Sequence, residues 1–245
     1  MRPVNDERPW VAIGDVHGRA DMLSWLLDAV ERDLPDARVV LLGDLVDRGP
    51  DIRGVIRLAR ELAGRFAASE VLLGNHEDWF LSAVDGDEVA REDWLTWGGE
   101  ATCRAFGVDP WRDRPRLAAA FEPYADELAF LRARPRTLEG FGAAGGHLFV
   151  HAGVDPLAPL HEQDPRDLIW MREPFLSWPH ELEKRIVHGH TATPQPELRV
   201  HRIGVDTGAV YGGVLTAVVL RPGEAPRFMA ARDDGHVAPI QPSVS

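Results

Sequence analysis

The apolar residues in the N-terminal third of the chain follow two alternating patterns. Short runs rich in Val, Ile and Leu, each followed by Gly, are typical of buried strands. These runs lie at residues 10–13, 39–42 and 71–73. The other pattern repeats every three to four residues and predicts amphipathic helices. It lies at residues 22–30, 52–62 and 79–84. Strand and helix alternating in this way indicate an α/β fold.

The rest of the chain adds further strand-like runs. Residues 148–150 lead directly into His151, and residues 186–187 lead into a His-Gly-His sequence. The last third reads as consecutive strands separated by Gly-rich turns, which predicts a second sheet packed on the first. Those strands are expected at residues 202–205, 214–220 and 227–230.

We expect one domain spanning residues 1–235, because a chain of 245 residues with 44% hydrophobic content can bury a single core. Residues 88–134 are predicted to be helical, and we interpret them as an insertion or cap whose function the sequence leaves open. Residues 236–245 contain two prolines and little to bury. A loose C-terminal tail is therefore expected.

The charge balance narrows the possible partners. Lys and Arg number 27 against 39 Asp and Glu, a formal net charge of −12, which argues against nucleic acid and anionic membrane surfaces as partners. There is no apolar run of about eighteen residues that could span a bilayer. Cys103 is the single cysteine, so an intramolecular disulfide is impossible and a reducing compartment, the cytoplasm, is expected. The oligomeric state stays open.

Side chains of types that can bind metal ions follow the runs at residues 10–13, 39–42, 71–73, 148–150 and 186–187. In α/β sheets, ligands gather beyond the carboxyl ends of the strands, where loops converge. Two of these residues, Asp15 and His17, are two positions apart, so in an extended segment both side chains point the same way and could bind one metal. The complete candidate set is Asp15, His17, Asp44, Asn75, His151 and His190.

This mixture of ligands indicates a pair of metal ions. Carboxylate, imidazole and amide groups together suit Mn, Fe or Zn better than Ca, and the set is large enough for two ions sharing Asp44. Two ions roughly 3.5–4 Å apart can hydrolyse a phosphate ester, because they supply a metal-bound hydroxide and clamp the attacking and leaving oxygens. Such a centre stays cationic and attracts phosphate despite the net charge of −12.

Three residues beside the candidate ligands offer further chemistry. Asp47 and His76 follow closely after Asp44 and Asn75, so a carboxylate could orient an imidazole beside the metals. His76 would then protonate the leaving oxygen as a general acid. Arg48 offers a guanidinium fork to the phosphoryl oxygens.

Five stretches of this chain resemble the metallophosphoesterases of the phosphoprotein phosphatase type, in particular the small bacterial and phage serine/threonine phosphatases. They occur in the family's order and span residues 14 to 191. The stretches are Gly14-Asp15-Val16-His17-Gly18, Gly43-Asp44-Leu45-Val46-Asp47-Arg48-Gly49, Gly74-Asn75-His76-Glu77, His151-Ala152-Gly153 and Gly189-His190-Thr191.

The resemblance implies an α/β/β/α sandwich of two mixed sheets flanked by helices. It implies that Asp44 bridges two metals, with Asp15 and His17 on one of them. It also implies that Asn75, His151 and His190 bind the other metal, and that Asp47 and His76 form the acid pair. Within Ile169-Trp170-Met171-Arg172, Arg172 resembles an arginine that helps to hold phosphate in the bacterial branch.

Three functions are compatible with these residues. The favoured one is a phosphomonoesterase, specifically a serine/threonine protein phosphatase, that acts on phosphorylated proteins or small phosphate esters. It would use two divalent metal ions, of which manganese is the first candidate and iron or zinc are alternatives. A hydrolase of dinucleoside polyphosphates, such as diadenosine tetraphosphate, would carry almost the same metal motifs. A phosphate-binding module with a decayed catalytic site is the third, although His76, Asp47 and all six ligand positions are intact.

Overall fold

Residues 8–66, 68–113, 116–140 and 146–244 are described by the computed structural model. Within these ranges the strands are β1 Trp10–Ile13, β2 Arg38–Leu41, β3 Ala68–Val71, β4 Thr137–Glu139, β5 His147–Val150, β6 Arg185–His188, β7 Glu197–Leu198, β8 Arg202–Gly204, β9 Leu215–Leu220, β10 Arg227–Ala231, β11 Val237–Pro239 and β12 Ser243–Val244. The α-helices are α1 Ala20–Asp33, α2 Ile52–Arg65, α3 Asn75–Val84, α4 Glu88–Trp94, α5 Glu100–Ala105, α6 Leu117–Phe121, α7 Ala125–Arg132 and α8 Asp167–Trp170.

The described strands form two mixed six-stranded sheets. The first has the order β11-β10-β9-β1-β2-β3, in which β1, β2 and β3 are parallel and β9 to β11 are antiparallel. The second has the order β12-β7-β8-β6-β5-β4, with β5, β6 and β8 parallel at its centre. The α1 and α2 helices connect the parallel strands of the first sheet.

Alternation of side chains along the strands explains how the sheets stack. In β1, Val11 and Ile13 face one core cluster together with the apolar stripes of α1 and α2, whereas Trp10 and Ala12 face the opposite side. That opposite side contacts the second sheet, where Trp10 stacks on Phe149 with ring centroids 5.2 Å apart. The outer face of the second sheet packs against loops and α8. This arrangement confirms the predicted single α/β domain with two mixed sheets between helices.

Residues 88–134 are helical as predicted, within their described part. The α4 and α5 helices are joined by a π-helical turn, Leu95–Gly99, and α6 and α7 by a short 3₁₀ turn. An aromatic cluster holds this segment against α3, and its rings meet at centroid distances of 4.7 to 6.4 Å. Its members are Phe80, Trp94, Phe106, Phe121 and Tyr124.

Two expectations about the C-terminal third were wrong. The predicted strands do not form one sheet, because β8 lies in the second sheet whereas β9 and β10 extend the first. The tail is not loose, because β11 pairs with β10 and β12 pairs with β7. Backbone hydrogen bonding to open sheet edges orders this short segment, and an edge strand tolerates Pro239. Val237 and Ile240 also pack against the two cores.

No helix in the described ranges is both long enough and apolar enough to cross a bilayer.

Candidate metal centre

The carboxyl ends of strands from both sheets meet at one edge of the sandwich. Asp15 follows β1, Asp44 follows β2 and Asn75 opens α3 after β3, so three candidate ligands come from the first sheet. His151 follows β5 and His190 follows β6 in the second sheet. Backbone hydrogen bonds join these loops, including His17 N to Asp44 O at 2.8 Å and Gly189 N to His151 O at 2.8 Å. Residues far apart in sequence are therefore held side by side.

The first group of potential ligand atoms contains His17, Asp44 and His76, all buried. Nδ1 of His17 donates to the carbonyl of Val46 at 2.7 Å, which leaves the lone pair on Nε2 facing inward. This Nε2 lies 3.4 Å from Oδ2 of Asp44. The guanidinium of Arg48 also contacts Nε2 of His17. Since one lone pair cannot serve both, a metal bound there would displace this arginine contact.

The second group contains Asp44, His151 and His190. Nδ1 of His151 donates to the carbonyl of Leu42 at 2.8 Å, so its Nε2 also carries a lone pair. That nitrogen lies 2.8 Å from Oδ1 of Asn75, which is 2.9 Å from Nδ1 of His190. Oδ1 of Asp44 lies 3.4 Å from Nε2 of His151. Nε2 of His151 and Oδ1 of Asn75 are both acceptors, and two acceptors this close together are suited to a shared cation.

The electrostatics of the cluster suit a bound cation. Burial raises the pKa of Asp15 well above its usual value, and the neighbouring carboxylates of Asp206 and Asp44 add to the effect. Burial also opposes ionisation of Asp44, but the surrounding imidazoles, His151 first, hold its pKa well below the usual range. Burial, with His151 next, lowers the pKa of His190 to about 2, so this ring is neutral, as a metal ligand must be.

Asp15 occupies a different position from the other carboxylate. Its two oxygens accept the backbone N–H of His190 at 3.0 and 3.1 Å. The side chain also lines the cavity that lies over the candidate ligands and is described below. The structure thus brings all six candidate ligands together, with Asp44 belonging to both groups of ligand atoms. The residues present fit two cations.

Left-handed backbone conformations concentrate at this site. Among the described residues, the non-glycine residues with positive φ are His17, Asp44, Asp47, Arg48 and His190, with φ between 42° and 73°. Such conformations cost of order 1–3 kcal/mol each and persist where the surrounding structure enforces them. All five belong to the sequence-predicted site.

His76 and Asp47, the pair that the sequence predicts to act in proton transfer, lie in contact with each other. Nδ1 of His76 donates to Oδ2 of Asp47 at 2.6 Å, and Asp47 is 0% exposed. The ring of His76 meets that of His17 edge-on at 4.7 Å, which puts it beside the first ligand group. His76 lines the cavity, whereas Asp47 lies behind it. The pair therefore has one face toward the cavity and one toward the core.

Glu77 has a structural role that the sequence did not assign. Its Oε1 accepts the amides of Leu45 and Val46 at 2.8 and 3.0 Å. Its Oε2 accepts the amides of Asp44 and Gly74 at 2.8 and 3.0 Å. Burial and the nearby Asp44 raise the pKa of Glu77 to about 7, although the amides of Val46 and Gly74 act in the opposite direction. One carboxylate thus ties the loop after β2 to the start of α3.

A cavity of about 410 Å³ opens over the ligands. Arg48 and Arg172 supply its arginine side chains, and Asp93 and Asp206 add acidic groups. Aromatic residues form much of the remaining wall. Trp97 and Tyr211 are 57% and 66% exposed at its mouth, whereas Trp79 and Trp170 are half-buried.

The positions of several residues around the site could not have been predicted from the sequence alone. Trp94 and Thr102 contact Asp47 although more than forty residues separate them in sequence. The spacing of residues in the sequence does not predict contacts of this kind. Asp206 stands in an Asp-Thr-Gly stretch, but its place in the cavity depends on the second sheet. His188 is buried beside Arg202 and is not among the residues that line the cavity.

Two stacked mixed sheets with a buried carboxylate shared by two groups of potential metal ligands are typical of dinuclear metal-dependent hydrolases. The chain belongs to the calcineurin-like phosphoesterase family, whose model matches residues 9–213. This confirms the family resemblance, and members of the family use a dinuclear divalent metal site.

Relatives within the family carry different names. The chain is 31% identical over 213 residues to serine/threonine-protein phosphatase 1 of Salmonella typhimurium (strain LT2), covering 84% of this chain and 89% of that protein. It is 27% identical over 226 residues to the asymmetrical bis(5'-nucleosyl)-tetraphosphatase PrpE of Halalkalibacterium halodurans, with coverages of 84% and 87%. A solved structure of a protein proposed to be a diadenosine tetraphosphatase shares the fold, with a TM-score of 0.68, 24% identity and coverages of 98% and 97%.

Proposed function

We propose that this chain is a two-metal phosphomonoesterase that acts on phosphorylated serine and threonine in proteins. The observation that carries the proposal is the position of Asp44 in both groups of metal-competent atoms. Asp15 and His17 would hold one ion, while Asn75, His151 and His190 would hold the other. Manganese is the first candidate, because the ligands mix carboxylate, amide and imidazole.

The chain's own residues have distinct parts in this reaction. Bound divalent ions would supply a nucleophile from water at neutral pH and neutralise charge on the phosphoryl oxygens. Arg48 and Arg172 would hold the phosphoryl group by charge-assisted hydrogen bonds. His76 would give a proton to the leaving oxygen, while Asp47 keeps the proton on Nδ1 and thereby fixes the orientation of the ring.

The charges in the cavity favour a phosphomonoester. Two arginines suit one phosphate dianion, whereas a chain of four phosphates calls for more cationic groups, and Asp93 and Asp206 would repel it. The relative that is 31% identical, a serine/threonine phosphatase, supports the same choice.

Hydrolysis of dinucleoside polyphosphates is the second candidate, and the exposed aromatic residues favour it. Trp97 and Tyr211 offer faces on which a nucleobase could stack. Among the relatives found, those named bis(5'-nucleosyl)-tetraphosphatase are also the more numerous.

Turnover of a phosphoserine peptide and of diadenosine tetraphosphate, measured side by side with defined manganese loading, tests the proposal. We expect a higher kcat/KM for the peptide. A strong preference for the nucleotide would transfer the assignment to the second candidate. In that case Trp97→Ala and Tyr211→Ala should raise the KM for the nucleotide and leave the KM for para-nitrophenyl phosphate unchanged.

A wider metal panel tests whether the chain is an enzyme at all. If protein loaded with Mn, Fe, Zn, Co or Ni leaves para-nitrophenyl phosphate intact in every case, the chain is a phosphate-binding module instead.

A further inference from the structure

Within the described part of the chain, three side chains form hydrogen bonds with the Asp47 carboxylate, and the helical segment 88–134 supplies two of them. Nε1 of Trp94 donates to Oδ1 of Asp47 at 2.9 Å, and Oγ1 of Thr102 donates to the same oxygen at 2.5 Å. The amide of Asp47 in turn donates to Oγ1 of Thr102 at 3.0 Å. With Oδ1 occupied by two donors, Oδ2 is directed to Nδ1 of His76.

The same segment holds the backbone and side chain of Arg48. Its amide donates to the carbonyl of Gly98 at 3.2 Å, and its Nε donates to the carbonyl of Trp97 at 3.2 Å. Both carbonyls belong to the π-helical turn, where Trp97 and Gly98 leave helical geometry. Gly98 has φ +117°, and a Cβ there would lie 2.6 Å from Cγ of Arg48, so only glycine fits. Turns of this kind often lie at functional sites.

Packing alone does not explain the choice of Trp94 and Thr102. Both side chains are fully buried, where Val would match the volume of Thr102 and an apolar ring could replace that of Trp94 without polar atoms that need partners. They come from different helices, α4 and α5, yet converge on one carboxylate oxygen. Convergence on Oδ1 of Asp47 is what distinguishes them from ordinary core residues.

We infer that segment 88–134 is a positioning element for proton transfer, in which Trp94 and Thr102 orient the Asp47–His76 pair. The inference rests on the proposed phosphomonoesterase reaction. As the bond between phosphorus and the leaving oxygen breaks, its electron pair stays on that oxygen, which takes the proton from Nε2 of His76. The other ring proton remains between Nδ1 and Asp47. The neutral imidazole regains its lost proton from water.

A substrate whose leaving group needs no proton distinguishes a loss of proton transfer from general disruption of the active site. Para-nitrophenolate leaves readily as an anion, whereas an alkyl oxygen depends on the acid. The test variants are Thr102→Val, which keeps the shape of the side chain and removes its donor, and Trp94→Phe, which keeps an aromatic ring and removes the indole N–H. Their matched controls in the same segment are Thr96→Val, whose hydroxyl donates to Glu92 O on the surface, and Trp111→Phe, whose ring is 59% exposed.

We expect Thr102→Val and Trp94→Phe to lower kcat for an alkyl phosphate by about 10- to 100-fold more than kcat for para-nitrophenyl phosphate. Both controls should leave the ratio of the two rates unchanged. In a His76→Asn background, Thr102→Val should have no further effect on the alkyl phosphate, since both act through one group.

A readout without turnover complements the kinetics. In the zinc-loaded, diamagnetic protein, the proton between Nδ1 of His76 and Asp47 should give a far-downfield NMR signal. We expect this signal to shift or vanish in Thr102→Val and Trp94→Phe and to stay in both controls. Trp94→Phe keeps the inference testable if Thr102→Val does not fold.

Equal loss of rate on both phosphates, or full additivity with His76→Asn, would overturn the inference. If His76→Asn lowers kcat for the alkyl phosphate more than kcat for para-nitrophenyl phosphate, but neither Thr102→Val nor Trp94→Phe does so, only this inference fails. If His76→Asn itself shows no dependence on the leaving group, the proposed acid step fails as well and the inference falls with it.

Discussion

Replacement of Glu77 by Gln tests how the site is held in place. The glutamate accepts four backbone amides, two on each carboxylate oxygen, from Asp44, Leu45, Val46 and Gly74. In Glu77→Gln one oxygen becomes an NH₂ group, which faces two of these amides as a second donor. Two buried amides then lack an acceptor, while the shape of the side chain is kept.

The expected loss follows from those two amides. An unsatisfied buried donor costs about 1–3 kcal/mol, but Gln also removes a buried charge whose pKa is raised to about 7, so Glu77→Gln should lower the free energy of unfolding by up to about 3 kcal/mol. Glu61→Gln is the matched control, because Glu61 is exposed and forms an ion pair with the exposed Arg57, one turn earlier in α2. Its change should stay within about 0.5 kcal/mol.

Urea unfolding of the metal-free proteins at pH 8 measures both changes. This pH lies above the value of about 7 to which burial and Asp44 raise the pKa of Glu77, so the side chain is ionised in the parent. Since the amides belong to the loop that carries Asp44, bound metal should decrease as well. A Glu77→Gln protein as stable as Glu61→Gln would refute the reasoning, because a neutral side chain would then serve equally well.

Three further outcomes are expected. His76→Asn should lower turnover of an alkyl phosphate by roughly 10²–10⁴-fold with metal content unchanged, and parental turnover would remove His76 from its role. Cys103, whose pKa is raised to about 12 by burial and then by Asp47, should react with a thiol-exchange reagent at pH 8 only after unfolding, so rapid labelling of the native protein would contradict its burial. Burial and Arg202 lower the pKa of His188 to about 3, so below pH 6.5 the unfolded chain binds a proton at this residue that the folded chain does not bind. The free energy of unfolding of the metal-free protein should therefore fall below that pH, by up to about 1.4 kcal/mol per pH unit for this histidine. His188→Gln should flatten this slope between pH 6.5 and 5, and an unchanged slope would show that other groups cause it.

Local sequence patterns predict much of the first sheet and of the ligand set. The runs that became β1, β2 and β3 are short and apolar, and each ends at a glycine followed by a polar residue, so their ends identify Asp15, Asp44 and Asn75. Strand ends in an α/β fold converge, which is why the sequence alone suffices to group residues that lie so far apart along the chain.

Pairing between distant segments is harder to predict. The strands β8 and β9 are close in sequence and similar in composition, yet they lie in different sheets. The C-terminal strands are only two or three residues long, and their order comes from edges offered by β10 and β7. Pairing at a sheet edge depends on backbone hydrogen bonds, so the pattern of apolar and polar side chains does not predict it.

Residues that act through others are also missed. Glu77 lies within a recognisable motif, but its four amide partners are contributed mainly by the loop after β2. Trp94 and Thr102 look like ordinary core positions of amphipathic helices until Asp47 is placed between them. Their roles depend on tertiary contacts alone.

Metal stoichiometry tests the central claim most directly. Protein freed of metal, reloaded with manganese and freed of excess should hold two ions per chain by elemental analysis, and Asp44→Asn should hold fewer than one. Anomalous scattering at the manganese edge should place the two ions roughly 3.5–4 Å apart, on either side of Asp44. One ion or none at saturating manganese, or ions bound away from Asp44, would contradict a shared dinuclear centre.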